Sequence, residues 1–198
     1  MAHKVGAILL AAGASRRMGR TKQVLPVRGE PAVSRCCRSI LEGGMGEVVV
    51  VLGHDHERVR QAVGNLPVRF ARNEDPDSDM TSSVRVGLDA LPPEITGVAV
   101  TLCDHPLVEP ETYGAVRKLH HTLPACIIIP VYDGRGGHPT LFPRETLESL
   151  GNGRTLRDIV RGNGTCTFRV AVDDPGIVMD MDTETDYRRL AQLAEAAP

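Results

Sequence analysis

The sequence predicts an α/β protein of three layers, α/β/α, with a mostly parallel, Rossmann-like central sheet. Three observations predict it. Between residues 5 and 130, short apolar runs alternate with longer amphipathic stretches. The apolar runs are nearly unbroken, as expected of strands covered on both faces. Glycine and proline pairs, Gly43-Gly44 and Pro92-Pro93, stand where the period changes.

The elements follow in order. Strands are expected at Val5–Leu10, Glu47–Leu52, Val68–Ala71, Gly97–Leu102 and Ala125–Pro130, each short and rich in Val, Ile, Leu or Ala. Between them, "AVSRCCRSILEGG" reads as a helix ended by its glycines, and "HDHERVRQAVGN" as one begun by a capping Asp55. "SSVRVGLDALPP" stops at prolines, and "EPETYGAVRKLHH" starts around Pro110. After Pro130 the rhythm breaks. "VYDGRGGHPTLF" reads as a Gly-rich turn or hairpin, "RTLRDIVRG" as a short helix, and "CTFRVAV" and "GIVMDM" as later strands. "TETDYRRLAQLAEAA" closes the chain as a helix capped by Thr183 or Thr185. No repeat or linker interrupts residues 1–198, so one domain is expected.

Composition excludes several classes. The net charge of −2 over 198 residues gives no general attraction to polyanions, so any basic site must be local. Aromatic residues make up 3% and Trp is absent, which argues against base-stacking nucleic-acid modules. The five cysteines are odd in number and form no CxxC, so neither a zinc site nor a disulfide framework is expected; Cys36 and Cys37 fit helix packing. The opening "MAHKVGAILLAAG" does not read as a signal peptide, and no apolar run is long enough to span a bilayer. A reducing cytoplasm, with neither membrane nor nucleic acid as partner, is the expected setting.

The densest chemistry lies in "VGAILLAAGASRRMGRTKQVLPV". A glycine loop at the C-terminal end of a first strand is where open α/β sheets bind ligands. Gly13 and Gly19 permit close backbone approach, Ser15 offers a hydroxyl, and Arg16, Arg17, Arg20 and Lys22 supply positive charge. The P-loop fails, because Gly19 is followed by Arg20, and the dinucleotide pattern GxGxxG is absent. Fixed cations and backbone N–H groups nevertheless suit the charge of a triphosphate and of its transfer transition state.

The segment Leu10 to Lys22, "LAAGASRRMGRTK", resembles the LAAGxSxRMGxxK signature of the MobA-like nucleotidyltransferases at every fixed position. Its Ala-Ala-Gly form is most similar to the molybdenum cofactor cytidylyltransferases. The resemblance implies a nucleotide-diphospho-sugar transferase-like fold. In it a loop of Leu10, Ala11, Ala12, Gly13 and Ser15 wraps the triphosphate, and Arg17 and Lys22 contact it. "VAVTLCDHPLV" resembles the family's strand-D-x-P segment, which implies that Asp104 binds Mg²⁺, with Mn²⁺ as the alternative; a helix cap is its plainer role. "GIVMDMDTETDY" resembles DIDTPEDY. It implies Asp180 as second metal ligand, with Asp182, two residues on, as the alternative or as a cap partner of Thr183. Glu184 stands where the family has Pro.

"NEDPDSDMTSSVRVGLDAL" resembles the family's N…G-x-SSS-x-x-GL region, placing Asn73, Ser82 and Ser83 near base or ribose; helix capping is the serines' simpler role. Asp79 replaces the usual Gly. "GRGGHPTLF" resembles RGHPVLF, which faces the acceptor, so Arg135, Gly137 and His138 are expected there, with Gly136 and Gly137 admitting a bulky pterin. Asn152 replaces the acid of the family's GDxGAR stretch. The Ala12 methyl leaves less room beside the base than the glycine of guanylyltransferases, which favours CTP over GTP. The reaction implied is CMP transfer from CTP to the phosphate of molybdenum-loaded molybdopterin with release of pyrophosphate, and a transient contact with a molybdoenzyme or its chaperone. Its rivals are GMP transfer, a sugar or polyol phosphate acceptor, a nucleotide-binding regulator, and a dinucleotide-dependent oxidoreductase.

Overall fold

A computed structural model describes residues 3–13, 15, 18–75, 79–150, 153–162 and 166–196. In chain order its elements begin with β1 (Lys4–Ala11), β2 (Pro26–Val27), β3 (Glu30–Pro31), α1 (Ala32–Glu42), β4 (Glu47–Leu52) and α2 (His56–Val63). They continue with β5 (Arg69–Arg72), α3 (Met80–Ala90), β6 (Ile95–Leu102), α4 (Pro110–Thr122), β7 (Ile127–Tyr132), β8 (Arg135–Gly136) and β9 (Thr140–Pro143). The last are α5 (Arg144–Glu148), α6 (Leu156–Gly162), β10 (Thr167–Ala171) and α7 (Glu184–Ala196). Single 3-10 turns lie at Lys22–Val24 and Pro175–Val178.

The main sheet runs β10-β7-β9-β6-β1-β4-β5, with β8 pairing β7. β1 is parallel to β4 and β6, β4 to β5, and β10 to β7, whereas β9 is inserted antiparallel between β6 and β7. The centre of the sheet shows why the strand sequences are unbroken apolar runs. Along β1, Ala7 and Leu9 join the core made with α1, α2 and α4, while Ile8 joins the opposite core made with α3, α5 and α6. All three are fully buried. Side chains alternate faces, so a strand covered on both must be apolar at every position, at about 2 kcal/mol per large side chain. This is the expected three-layer, mostly parallel architecture.

A smaller third core positions the far end of the chain. Leu190 and Ala194 of α7 pack with Met181, Leu107, Ala32 and Val27, and the Tyr187 hydroxyl donates to Pro26 O at 2.9 Å. Thr183 caps α7: its hydroxyl accepts from Asp186 N at 3.2 Å while the Asp186 carboxylate accepts from Thr183 N at 3.0 Å.

The structure corrects several expectations. "GIVMDM" is not a strand. Asp174 accepts from Gly176 N at 2.9 Å, Pro175 has no N–H for a ladder, and the chain turns once before running on extended. Ile177 and Met181 are apolar because Ile177 joins the core on one face of the sheet and Met181 packs with Leu190 and Ala194 of α7. Asp55 precedes α2, but its carboxylate accepts from the Thr21 hydroxyl at 2.5 Å and does not cap the helix. The expectation of no disulfide also fails, since Cys126 and Cys166 are bonded. Separated by 40 residues, they immediately precede β7 and β10, whose parallel register sets Ile127 beside Thr167, leaving their Cα atoms 4.6 Å apart. Among the described residues no helix is long and apolar enough to cross a membrane.

Candidate active site

β1, β4, β5 and β6 all run the same way, so their C-terminal ends share one edge of the sheet. A cavity of about 800 Å³ opens there. Its wall is built from the strand ends and the residues that follow them: Leu10 to Gly13 at β1, Gly53 to Asp55 after β4, Arg72 to Asp75 at β5, and Leu102 to Asp104 at β6. Ser15, Lys22, Gln23, the start of α3 and Asp182 complete it. Of the nucleotide-site residues predicted, Leu10, Ala11, Ala12, Gly13, Ser15, Lys22, Asn73, Ser83 and Asp104 line this cavity. Arg17 and Asn152 lie outside the described residues.

At its floor a lysine stands between two carboxylates. The Lys22 Nζ donates to Asp104 Oδ2 at 2.7 Å and to Asp182 Oδ1 at 2.9 Å. Only 13% of the Lys22 side chain is exposed, which makes these interactions far stronger than surface pairs. Burial pulls the lysine pKa down, but the Asp104 charge and the hydrogen bonds to Asp104 and Asp182 outweigh it, so the ammonium is held above its ordinary value of 10.5. The second Asp104 oxygen, Oδ1, is buried without a hydrogen-bond partner; the nearest imidazole nitrogen, on His105, is 3.8 Å away. A buried carboxylate oxygen with an unmet requirement, on a side chain that shares Lys22 with a second carboxylate, offers oxygen donors of the kind a hard divalent cation takes. Asp180 is exposed and does not reach the cavity; Asp182 is the carboxylate that does. The two-residue spacing of a strand does not apply here, because the segment forms none.

The wall at the end of β5 is a hydrogen-bonded unit. Asn73 follows β5 and is buried; its amide donates to the hydroxyls of Ser82 and Ser83, each at 3.1 Å. Asp79, not a serine, caps α3, accepting from Ser82 N at 2.7 Å. The serines therefore tie α3 to the end of β5, and Ser83 faces the cavity. Gly53 lies flat against Ala12: a Cβ at position 53 would overlap the Ala12 carbonyl. Cys103 lines the cavity as a thiol, since the hydrogen bond with Cys36 and burial push its pKa well up.

The acceptor-side residues predicted, Arg135, Gly137 and His138, are not part of this wall. Arg135 is exposed on β8. Gly137 does not leave room for a pterin, because the chain itself fills the space: a Cβ there would overlap the Ile177 carbonyl. The His138 ring packs 5.2 Å from that of His105 with its Nδ1 3.4 Å from Val100 O, and the His138 backbone N–H donates to Ile177 O at 3.1 Å. Burial, then the neighbouring His105, lowers the His138 pKa to about 4, so it is a neutral imidazole at pH 7. Sequence reasoning gave Asp55 only a capping role and passed over Gln23 in the cavity wall and, away from the cavity, the buried Asp174. Gln23 alone left a signal, a polar residue between Lys22 and an apolar run.

A family model described as the MobA-like NTP transferase domain matches residues 7–165. A nicotine blue oxidoreductase from Paenarthrobacter nicotinovorans is 36% identical over 146 residues, 70% of each chain. A 2-C-methyl-D-erythritol 4-phosphate cytidylyltransferase from Symbiobacterium thermophilum is 33% identical over 132 residues, 65% of this chain and 56% of that protein. The chain also matches the bifunctional protein GlmU of Rhodococcus opacus at 32% identity over 69% of its length, but spans only 29% of that protein. Among solved structures, Rv0371c of Mycobacterium tuberculosis superimposes with a TM-score of 0.85 at 28% identity, covering 97% of this chain and 99% of that one. A complex of Rv0371c with manganese superimposes with a TM-score of 0.80 at 26% identity, covering 97% and 100%.

Proposed function

The chain belongs to the MobA-like NTP transferase family, and we propose that it transfers CMP from CTP to the phosphate of molybdenum-loaded molybdopterin in the cytoplasm, releasing pyrophosphate. The observation that carries the nucleotidyl-transfer part is the Lys22 ammonium shared by Asp104 and Asp182 beneath a glycine loop, while CTP and molybdopterin rest on the resemblance of Leu10–Lys22 alone. Cation, carboxylate pair and backbone loop are the three parts that nucleotidyl transfer needs, and they meet in one cavity.

In the reaction, an oxygen of the acceptor phosphate forms a bond to the α-phosphorus, and the bond from that phosphorus to the pyrophosphate oxygen breaks. The nucleophile is already anionic, so no general base is required. Asp104 and Asp182 would hold Mg²⁺ (or Mn²⁺), which supplies charge neutralisation at the α-phosphate and the leaving group. Lys22 exchanges its carboxylate partners for triphosphate oxygens, with Arg17 assigned to the same phosphates by its place in the signature. The buried position of Lys22 makes its charge effective where the transition state gains negative charge. Asn73 and Ser83 fix the wall on which the base rests, and Ala12 narrows the space toward a pyrimidine.

Pyrophosphate release with Mg²⁺, measured separately with CTP, GTP, ATP and UTP against molybdenum-loaded molybdopterin, tests the reading. Release with CTP alone supports it; release with GTP alone sinks the argument from Ala12. Release only with a polyol phosphate acceptor moves the chain toward the chemistry named for its Symbiobacterium relative. A second reading, redox transfer, follows from the name of the Paenarthrobacter relative. It leaves the Asp104–Lys22–Asp182 cluster in the cavity unexplained, and it predicts oxidation of a nicotinamide cofactor with no pyrophosphate formed.

A further inference from the structure

Gln23 follows the signature lysine and is 2% exposed, although its side chain is polar. A buried carboxamide must find partners, and this one ties the glycine loop together. Its Nε2 donates to Ala11 O at 3.0 Å and to Gly13 O at 2.7 Å, which uses both of its protons. Its Oε1 accepts from the Ser15 hydroxyl at 3.3 Å, and that hydroxyl accepts in turn from Lys22 N at 3.1 Å. Ser15 itself has a φ of 49°, in the left-handed region a serine seldom adopts. Loop, serine and lysine backbone are therefore held by one side chain that the signature does not include.

We infer that Gln23 is a positioning residue that holds the glycine loop in its triphosphate-binding form. This rests on the nucleotidyl-transfer reading above. A trans peptide is planar, with C=O and N–H pointing opposite ways, so fixing the Ala11 oxygen fixes the direction of the Ala12 N–H. It also keeps two carbonyl oxygens occupied; released, they could turn toward the cavity and repel a polyanion. Gln23 touches no reacting atom. It acts through the loop, and through the link from Ser15 to the backbone of Lys22.

The test compares Gln23→Met, similar in shape but without donors, with Leu147→Ala, which removes a buried side chain of α5 outside the cavity. Both variants are expected to melt earlier than the wild type, so stability alone does not distinguish them. Amide exchange over residues 11–22 of the ligand-free protein is expected to quicken about tenfold in Gln23→Met and to stay near wild type in Leu147→Ala. Titrations with CTP and with GTP, each with Mg²⁺ and well below both melting midpoints, are expected to show affinity about tenfold weaker or worse in Gln23→Met alone. Unchanged exchange and affinity in Gln23→Met overturn the inference, and so do equal losses in both variants. If the wild type binds neither nucleotide, the nucleotide reading fails, and the exchange rates alone then decide whether Gln23 holds the loop.

Discussion

Replacing Asp104 by Ala separates catalysis from stability, because the structure assigns this carboxylate opposing energetic terms. Its Oδ2 accepts from Lys22 at 2.7 Å, a charge-assisted bond worth about 1.5–3 kcal/mol. Its Oδ1 is buried and unpaired, a burden of about 1–3 kcal/mol. Alanine removes both, and Lys22 keeps Asp182 at 2.9 Å, so no cation is left without a partner. The terms nearly cancel. For a chain of this size about 1 kcal/mol moves the melting midpoint by about 2–4 °C, so calorimetry should place Asp104→Ala within about 4 °C of wild type. Turnover, followed by pyrophosphate release, should fall about a hundredfold or more, the scale of losing one electrostatic element from such a site. A midpoint lowered by about 8 °C or more, or turnover near wild type, would show that Asp104 is a structural carboxylate and refute the reasoning.

Three further outcomes follow from the packing. Asp174→Ala should lower the melting midpoint by about 10 °C, because the buried carboxylate accepts from Gly176 N, Glu109 N and the Thr112 hydroxyl and all three donors lose their partner; a change under 3 °C by scanning calorimetry, against roughly 1 kcal/mol per such donor, would contradict this. Acidification should destabilise the fold before its carboxylates titrate. Burial, then the neighbouring His3 and His121, holds His120 down to about 4 from 6.5, so below pH 6.5 the unfolded chain takes up a proton that the folded chain refuses until about pH 4. That difference reaches about 3 kcal/mol, and denaturant melts at stepped pH should show it shrinking in His120→Asn; identical pH profiles would refute the assignment. Cutting the disulfide by Cys126→Ser should cost about 4 kcal/mol in the chain-entropy account of a loop closed over 40 residues. Because the bond lies at the sheet edge opposite the cavity, turnover at 25 °C should not change, and a loss of turnover would speak against that separation.

The parts of the fold visible in the sequence are those where local pattern and tertiary environment coincide. β1, β4 and β6 are buried on both faces, so their apolar runs announce them wherever they pack. "GIVMDM" carries the same run for another reason, since Ile177 packs onto the sheet core and Met181 onto α7 without pairing as a strand, and composition alone cannot separate the two. The antiparallel insertion of β9 depends on a crossover among distant strands and leaves no local trace. In the site, the glycine loop, Lys22 and Asp104 were legible because they stand at the fixed positions of the family signature and of its strand-D-x-P segment; by residue type alone Asp104 would read as a helix cap. The choice of Asp182 over Asp180 was not, since it turns on whether the segment pairs as a strand. Gln23 and Asp174 escaped notice because what matters about them is partners, some of them as far apart in sequence as Asp174 and Glu109.

The central claim, that this cavity transfers a nucleotidyl group, is tested most directly by following two labels in one reaction. CTP radiolabelled at the α-phosphate and, separately, at the γ-phosphate would be incubated with Mg²⁺ and molybdenum-loaded molybdopterin. The account predicts that the α-label moves to the acceptor while the γ-label appears in pyrophosphate. Both labels remaining in CTP, or the γ-label moving to the acceptor, would contradict it.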